Sequence, residues 1–61
     1  MKKKLRTKFQ DEDFELGEVV DADVNGNYNR IVVFVSKDGG GSHTFNYRYI
    51  EDLENDFEEV E

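Results

Sequence analysis

Carboxylates are the only chemically reactive side chains that this sequence has in quantity. Fifteen of the 61 residues are Asp or Glu, against one histidine and no cysteine. A catalytic pair of carboxylates needs a pocket that moves their pKa values apart. A domain of this length buries only about 60% of the surface of its unfolded chain, which leaves little room for such a pocket. We therefore predict no enzyme, no catalytic residue and no cofactor, and interpret the acids as either a solvated or a binding surface.

One group of oxygen ligands has the spacing of a calcium loop. Asp21, Asp23, Asn25 and Gly26 match positions 1, 3, 5 and 6 of an EF-hand. Position 12 is Val32, where the loop needs a bidentate glutamate, and the flanking residues have strand character. We predict a hairpin turn here and no metal site.

Two other motifs also favour structural interpretations. Ser42 and His43 are adjacent, and neighbours on a strand point to opposite faces, so they cannot form a nucleophile–base pair. The glycines at 39–41 lack the lysine and the following helix of a phosphate-binding loop. We interpret them as the tip of a hairpin and His43 as a loop or strand-edge residue.

The elements that position these residues are mostly strands. Asn25-Gly26 favours a two-residue type I′ turn, because both central residues of that turn need positive φ. It predicts a hairpin of about 17–24 with 28–36, whose second strand is rich in β-branched residues. The predicted opposite pairs are Asp21 with Arg30 and Val20 with Ile31.

The remaining segments are assigned from their periodicity. Residues 44–49 alternate aromatic and polar side chains, and residues 5–9 place Leu5 and Phe9 on one side, so both segments are predicted strands. In 50–61, apolar residues recur at helical spacing, while the charge of the segment disfavours a helix. We predict a short turn at 50–53 followed by a strand, with a helix over about 50–60 as the alternative. The apolar residues of this segment are Ile50, Leu53, Phe57 and Val60.

The charge is divided unevenly along the chain. Residues 1–8 carry +5 and the rest carries −12. Opposite charges favour cross-strand pairing, so we predict that residues 3–9 pair with the C-terminal segment. Because the acidic remainder repels nucleic acid, we expect no nucleic-acid partner. Because the chain has no apolar run of about 18 residues, we expect a cytoplasmic protein with no membrane partner.

The predicted order of elements resembles that of a Src-homology-3-like small β-barrel. Phe9 would end the first strand, residues 10–20 resemble the acidic loop and the next strand entry, and 45–53 resemble the aromatic segment and helical turn. The resemblance covers about residues 5–60 and implies one five-stranded, all-β barrel domain over 1–61. Small phage and bacterial domains with this barrel commonly serve as binding modules.

We therefore predict a non-enzymatic protein-binding module that presents an acidic surface to a protein with a basic surface. The alternative is an acidic nucleic-acid mimic, which would need two regular rows of acids on one exposed face. A third hypothesis, nucleic-acid binding by the lysines at 2–4, conflicts with the net charge of −7. The candidate partner-binding residues are Glu51, Asp52, Glu54, Asp56, Glu58, Tyr28 and Tyr49.

Overall fold

Five antiparallel strands and one short helix make up the fold. The computed structural model describes residues 1–37 and 41–61. The elements are β1 (Lys2–Thr7), β2 (Val19–Asn27), β3 (Arg30–Lys37), β4 (Gly41–Tyr47), α1 (Ile50–Asp56) and β5 (Phe57–Val60). The strands form one sheet in the order β4-β3-β2-β1-β5. The mostly-β, five-stranded prediction is confirmed, and in the described parts of the chain no ladder joins β4 to β5, so the sheet is not closed.

The predicted pairing of the basic start with the acidic end is confirmed. β1 runs antiparallel to β5, with Lys4 opposite Val60 and Thr7 opposite Phe57. Lys3 Nζ lies 3.3 Å from a carboxylate oxygen of Glu59. The charge asymmetry of the sequence therefore served to identify a contact between residues more than fifty positions apart.

The segment after β4 contains more helix than predicted. α1 extends over Ile50–Asp56, so the turn at 50–53 is the beginning of a two-turn helix. The strand predicted after it is present, and the alternative of a helix to residue 60 is wrong because Phe57 has extended geometry (φ −137°). Leu53 is buried, which anchors the helix to the core despite the acidic composition of the segment.

The β2–β3 turn lies three residues later than the Asn25-Gly26 signal predicts. It is formed by Tyr28 and Asn29, and Val24 pairs with Val33. With a turn at 25–26, Val33 would instead face Glu18. Pairing two apolar side chains in the core outweighs the local preference of one dipeptide.

The corrected register changes the partner of Asp21. Ser36 lies opposite it on β3, rather than Arg30, and Lys4 lies opposite it on β1. Because the pairing moved by an even number of residues, Val20 and Ile31 still face the core although they are no longer opposite each other.

Tyr28 is held in an unfavourable backbone conformation at the tip of this turn. It is the only non-glycine residue of positive φ (38°) in the described chain, and its side chain is fully exposed. We expect Tyr28→Gly to raise the free energy of unfolding by about 0.5–1 kcal/mol, because glycine adopts this conformation without steric cost. Urea denaturation measures the change. Asn29→Gly is the control: position 29 has no positive φ, so this substitution should destabilise, and equal effects of the two would contradict the argument.

β4 begins and ends earlier than predicted. It covers Gly41–Tyr47 rather than 44–49, and Tyr49 is the N-cap residue of α1. Of the glycine segment interpreted as a hairpin tip, residues 39 and 40 lie outside the described residues. Gly41 begins the strand with a φ of 80°.

The core lies between one face of the sheet, the 8–18 loop and α1. Alternate residues of the central strands face it, the loop contributes Phe14 and the helix contributes Leu53. The buried apolar residues are Leu5, Phe14, Val20, Ala22, Val33, Val35, Leu53 and Phe57. Within residues 1–37 and 41–61, no helix has the length and apolar character needed to span a bilayer.

Candidate protein-binding surface

The beginning of α1 presents three exposed carboxylates. Glu51 and Asp52 occupy the first helical turn and Glu54 follows in the second. None of the three forms an ion pair with a cation of the described residues. The nearby Lys8 ammonium donates instead to the backbone carbonyl of Glu54, at 2.9 Å. These three carboxylates are therefore exposed and unpaired among the described residues, although one ammonium group lies close to the helix backbone.

The acids around β1 have a different environment, because each is close to a cation. Lys4 lies 3.5 Å from Asp21, and the N-terminal ammonium lies 2.9 Å from Asp23. Arg6 lies 4.0 Å from Glu58 on β5. The structure thus separates Glu58 from the other predicted site residues: it lies on a strand beside an arginine, whereas Glu51, Asp52 and Glu54 share one helix.

Asp56 is occupied by an internal hydrogen bond. The Tyr47 hydroxyl donates to its carboxylate at 2.9 Å, and both side chains are half-buried. Burial of the phenol and this hydrogen bond raise the pKa of Tyr47 well above its ordinary value, so the hydroxyl remains a donor. Asp56 therefore ties the end of α1 to β4 and is less accessible to a partner than the acids that precede it.

An exposed apolar pair precedes the helix acids in the chain. The side chain of Tyr49 is 57% exposed and that of Ile50 is 52% exposed. The Arg48 guanidinium lies 5.6 Å from the centre of the Tyr49 ring, a cation–π contact. Helical periodicity groups Ile50 with the buried Leu53, but Ile50 stays about half-exposed in a groove that it lines with Leu5. This apolar member of the surface could not be recognised from the spacing alone.

Tyr28 lies at the same end of the sheet as this pair. Ile31 is opposite Tyr47, so the turn before Ile31 and the segment after Tyr47 both leave the sheet at that end. The structure thus places Tyr28 and Tyr49 at one end of the sheet. We call Tyr49, Ile50, Glu51, Asp52 and Glu54 the helix-start surface.

The acids of the 8–18 loop serve to fold that loop. One carboxylate oxygen of Asp11 accepts hydrogen bonds from the N–H groups of Asp13 and Phe14, at 2.8 and 2.9 Å. This turn directs Phe14 into the core, where its ring packs against those of Phe9 and His43. His43, interpreted from the sequence as a loop or strand-edge residue, thus lies on the edge strand β4, half-buried against an aromatic ring.

Glu18 has a similar structural role at the end of the loop. Its carboxylate accepts the N–H of Glu15 at 3.0 Å and lies 3.4 Å from the Lys37 ammonium. The Glu15 N–H and the lysine hold the pKa of Glu18 below its ordinary value. Lys37 also contacts the Asp13 carbonyl and the Phe14 ring.

The residues that resembled a calcium loop lie along β2. Asp21, Asp23 and Asn25 are at alternate positions of one strand, which spaces them along the sheet rather than around a point. In the portion of the chain described, no three His, Asp or Glu side chains converge as metal ligands.

The basic start forms part of an open groove on the sheet face away from the core. The groove has a volume of about 650 Å³, and half-exposed Phe34 lies in it. In this groove the carboxylates of Asp21 and Asp23 on β2 separate the lysines of β1 from Phe34 on β3. The lysines therefore do not form a continuous track for a phosphate backbone.

The fold and this surface together define a small antiparallel β domain with an acidic helix whose exposed carboxylates form no ion pair in the described chain. No protein family, curated protein or solved structure matches the chain.

Proposed function

We propose that this protein is a non-enzymatic binding module whose helix-start surface docks onto a basic surface of a partner protein. The observation that carries the proposal is the clustering of three exposed, unpaired acids on one short helix; the other exposed acids without an ion pair in the described chain lie in the 8–18 loop or at Glu61. The acids beside β1 are paired with its cations, whereas Glu51, Asp52 and Glu54 have no ion-pair partner in the described chain. The need to neutralise the basic residues 1–8 therefore does not explain why the helix carries three acids.

Stabilisation of α1 accounts for only part of their presence. Acids in the first turn interact favourably with the helix dipole, by about 0.3–1 kcal/mol each. Glu51 and Asp52 are in that turn, but Glu54 lies beyond it. Self-repulsion among three adjacent carboxylates opposes this gain. A partner that supplies positive charge would convert the repulsion into attraction.

The chemistry of the surface fits an interface with an apolar centre and a charged rim. Tyr49 and Ile50 supply exposed apolar area, and the carboxylates follow immediately in the chain. Tyrosine is enriched among residues that dominate binding energy, while rim charges mainly set association rate and specificity. The expected partner surface is a shallow apolar depression surrounded by lysine or arginine. Tyr28, at the same end of the sheet, would extend the contact.

The finer description of the fold belongs to the same proposal. We infer a Src-homology-3-like barrel of the kind found in small phage and bacterial proteins, acting in the cytoplasm. The order of elements supports it: a long acidic loop follows β1, two hairpins follow that loop, and α1 precedes the last strand beside β1. Contact between the Phe45 and Phe57 rings, 5.3 Å apart, brings β4 towards β5 without a ladder.

The arrangement of the acids favours protein binding over mimicry of nucleic acid. A mimic needs two regular rows of carboxylates on one face, like the phosphates of a duplex. In the described chain, the acids of β2 and β5 lie beside the cations of β1, and the helix acids form a single cluster. We retain the protein partner as the proposed function.

Charge reversal at the helix-start surface tests the proposal. We expect the triple variant E51K/D52K/E54K to remain folded, with some loss of helix-dipole stabilisation, because all three side chains are exposed and Leu53 still anchors α1. It should lower the association rate with the partner about ten-fold or more. The partner is first captured from a lysate of the native host, and the rate is then measured by surface plasmon resonance at low and high salt. Binding of the wild type should weaken steeply with salt.

The matched control is E12K/E15K/E61K, which makes the same change in net charge at three exposed acids elsewhere. It should retain most of the association rate. If both triple variants bind like the wild type and salt has no effect, the helix acids are only a solvated surface. The exposed rings of Tyr28 and Tyr49 then become the next sites to substitute.

A further inference from the structure

The two edges of the sheet differ in how they are protected against pairing with another strand. β5 is four residues long and contains Glu58 and Glu59, both features that discourage edge pairing. β4 is seven residues long and contains no charged residue and no proline. An edge of this length and composition is a template for a further strand.

The free side of β4 has no backbone partner among the described residues, although α1 and β5 contact its core-facing side chains. In the described chain, backbone hydrogen bonds of residues 41–47 belong to the β3–β4 ladder, and no loop or helix backbone bonds to this strand. No residue of β4 is fully buried, and Phe45 and Tyr47, which pack against the core, are partly buried. Pairing along this edge would satisfy free N–H and C=O groups and cover aromatic surface.

We propose that β4 pairs antiparallel with β4 of a second copy of this chain, about a two-fold axis at Thr44, to form a continuous ten-stranded sheet. Centring the pairing on Thr44 is the only register in which all seven residues of the strand take part. The faces also match, since even-numbered residues oppose even-numbered ones. In this register Thr44 opposes itself, Ser42 opposes Asn46, His43 opposes Phe45 and Gly41 opposes Tyr47.

Each of these pairs is favourable in kind. Two threonines can hydrogen-bond across strands, as can a serine and an asparagine, and two aromatic side chains can pack. The ring of Tyr47 would cover the backbone at Gly41, which has no side chain to shield it. The strand is thus complementary to itself, which is what an isologous interface requires.

The charge of the molecule also favours a second copy as the occupant. A chain of net charge −7 repels its own copies over most of its surface. β4 is a neutral strand at which two copies meet without opposing like charges. This interface uses neither the helix-start acids nor Tyr49, so the proposal does not depend on the proposed partner-binding function.

Sedimentation equilibrium tests the association. We expect the fraction of dimer to rise with concentration up to about 1 mM. Thr44→Lys should raise the dissociation constant of the dimer about five-fold, since it places two ammonium groups directly opposite each other at the axis. Asn25→Lys is the control, because Asn25 is also exposed but lies on an interior strand.

The control separates local pairing from bulk electrostatics. Both substitutions lower the net negative charge equally, and reduced repulsion alone would favour association in both. A weaker dimer with Thr44→Lys alone therefore supports pairing at β4. A wild-type chain that remains monomeric at about 1 mM, or equal behaviour of the two variants, overturns the proposal.

Cross-linking tests the register. The chain has no cysteine, so a single one can be introduced. Opposite residues of an antiparallel pair have Cβ atoms about 4.5–5.5 Å apart, and the two copies of position 44 should form a disulfide under mild oxidation. The two copies of position 42 would lie about 13 Å apart, so Ser42→Cys alone should not cross-link. Equal cross-linking at both positions would contradict the proposed axis.

Discussion

Phe14→Ala is expected to lower the free energy of unfolding by about 3–5 kcal/mol, the cost of truncating a buried phenylalanine. Phe14 is only 2% exposed and its ring contacts those of Phe9, Phe45 and His43. A domain of 61 residues has a total stability of about 3–9 kcal/mol, so this one substitution removes much or all of it. Urea denaturation followed by circular dichroism measures the loss.

Phe34→Ala is the matched control. Phe34 lies on the opposite face of the sheet and is 48% exposed, so the same truncation leaves no closed cavity. We expect a loss of about 1 kcal/mol or less. Similar losses from the two substitutions would mean that the 8–18 loop does not contribute its aromatic residue to the core.

Thr7→Val is expected to cost about 1–3 kcal/mol although the two side chains have nearly the same shape. The buried Thr7 hydroxyl donates to the carbonyl of Glu15 at 2.5 Å and accepts the N–H of Glu18 at 3.0 Å. Valine removes both bonds, each worth about 0.5–1.5 kcal/mol, and leaves the Glu18 N–H and the Glu15 carbonyl only the longer bond of 3.2 Å to each other. The 8–18 loop should loosen first, which amide hydrogen exchange at Gly17 and Glu18 would detect.

The same substitution at Thr44 controls for the intrinsic strand preference of valine. Thr44 is exposed on β4, and Thr44→Val should change stability by less than about 0.5 kcal/mol. Both variants are measured at low protein concentration, so that association between copies does not contribute. If Thr7→Val is as mild as Thr44→Val, the hydroxyl does not hold the loop.

The long-range pairing of the sheet was predictable because charge and hydrophobic alternation agree. Lys3 and Arg6 on β1 required carboxylates, and the end of the chain offered Glu58 and Glu59. The predicted placement of Val20 and Ile31 on one face also holds, because the error in register is an even number of residues and leaves the same side chains on the same face.

The position of the β2–β3 turn was not predictable from its best local signal. Asn25-Gly26 favours a turn, but the N-terminal amine and carbonyl of Met1 bind at Asp23 and Val24, and the apolar part of β3 needs apolar partners further along β2. The turn therefore falls on Tyr28, a residue with no preference for positive φ. The register of the hairpin was set by pairing with distant residues, and a dipeptide contains no information about that pairing.

The composition of the candidate surface was predictable, but the state of each carboxylate was not. The sequence shows a dense run of acids from Glu51 to Glu61 and nothing that separates them. The structure separates them by backbone geometry: Glu51 and Glu54 lie on the helix and form no ion pair in the described chain, whereas the strand brings Glu58 beside Arg6. Which charges remain uncompensated depends on where the helix ends.

The position of β1 between β2 and β5 has a consequence for the order of folding. The hairpins β2–β3 and β3–β4 close short loops, while pairing Lys4 with Val60 closes one of more than fifty residues. The entropy cost of closing a flexible loop grows with its length, and topologies rich in distant contacts fold slowly. The three-stranded meander is therefore the natural nucleus. The sheet is complete only when β5 pairs with β1, because until then β1 is an unpaired edge strand.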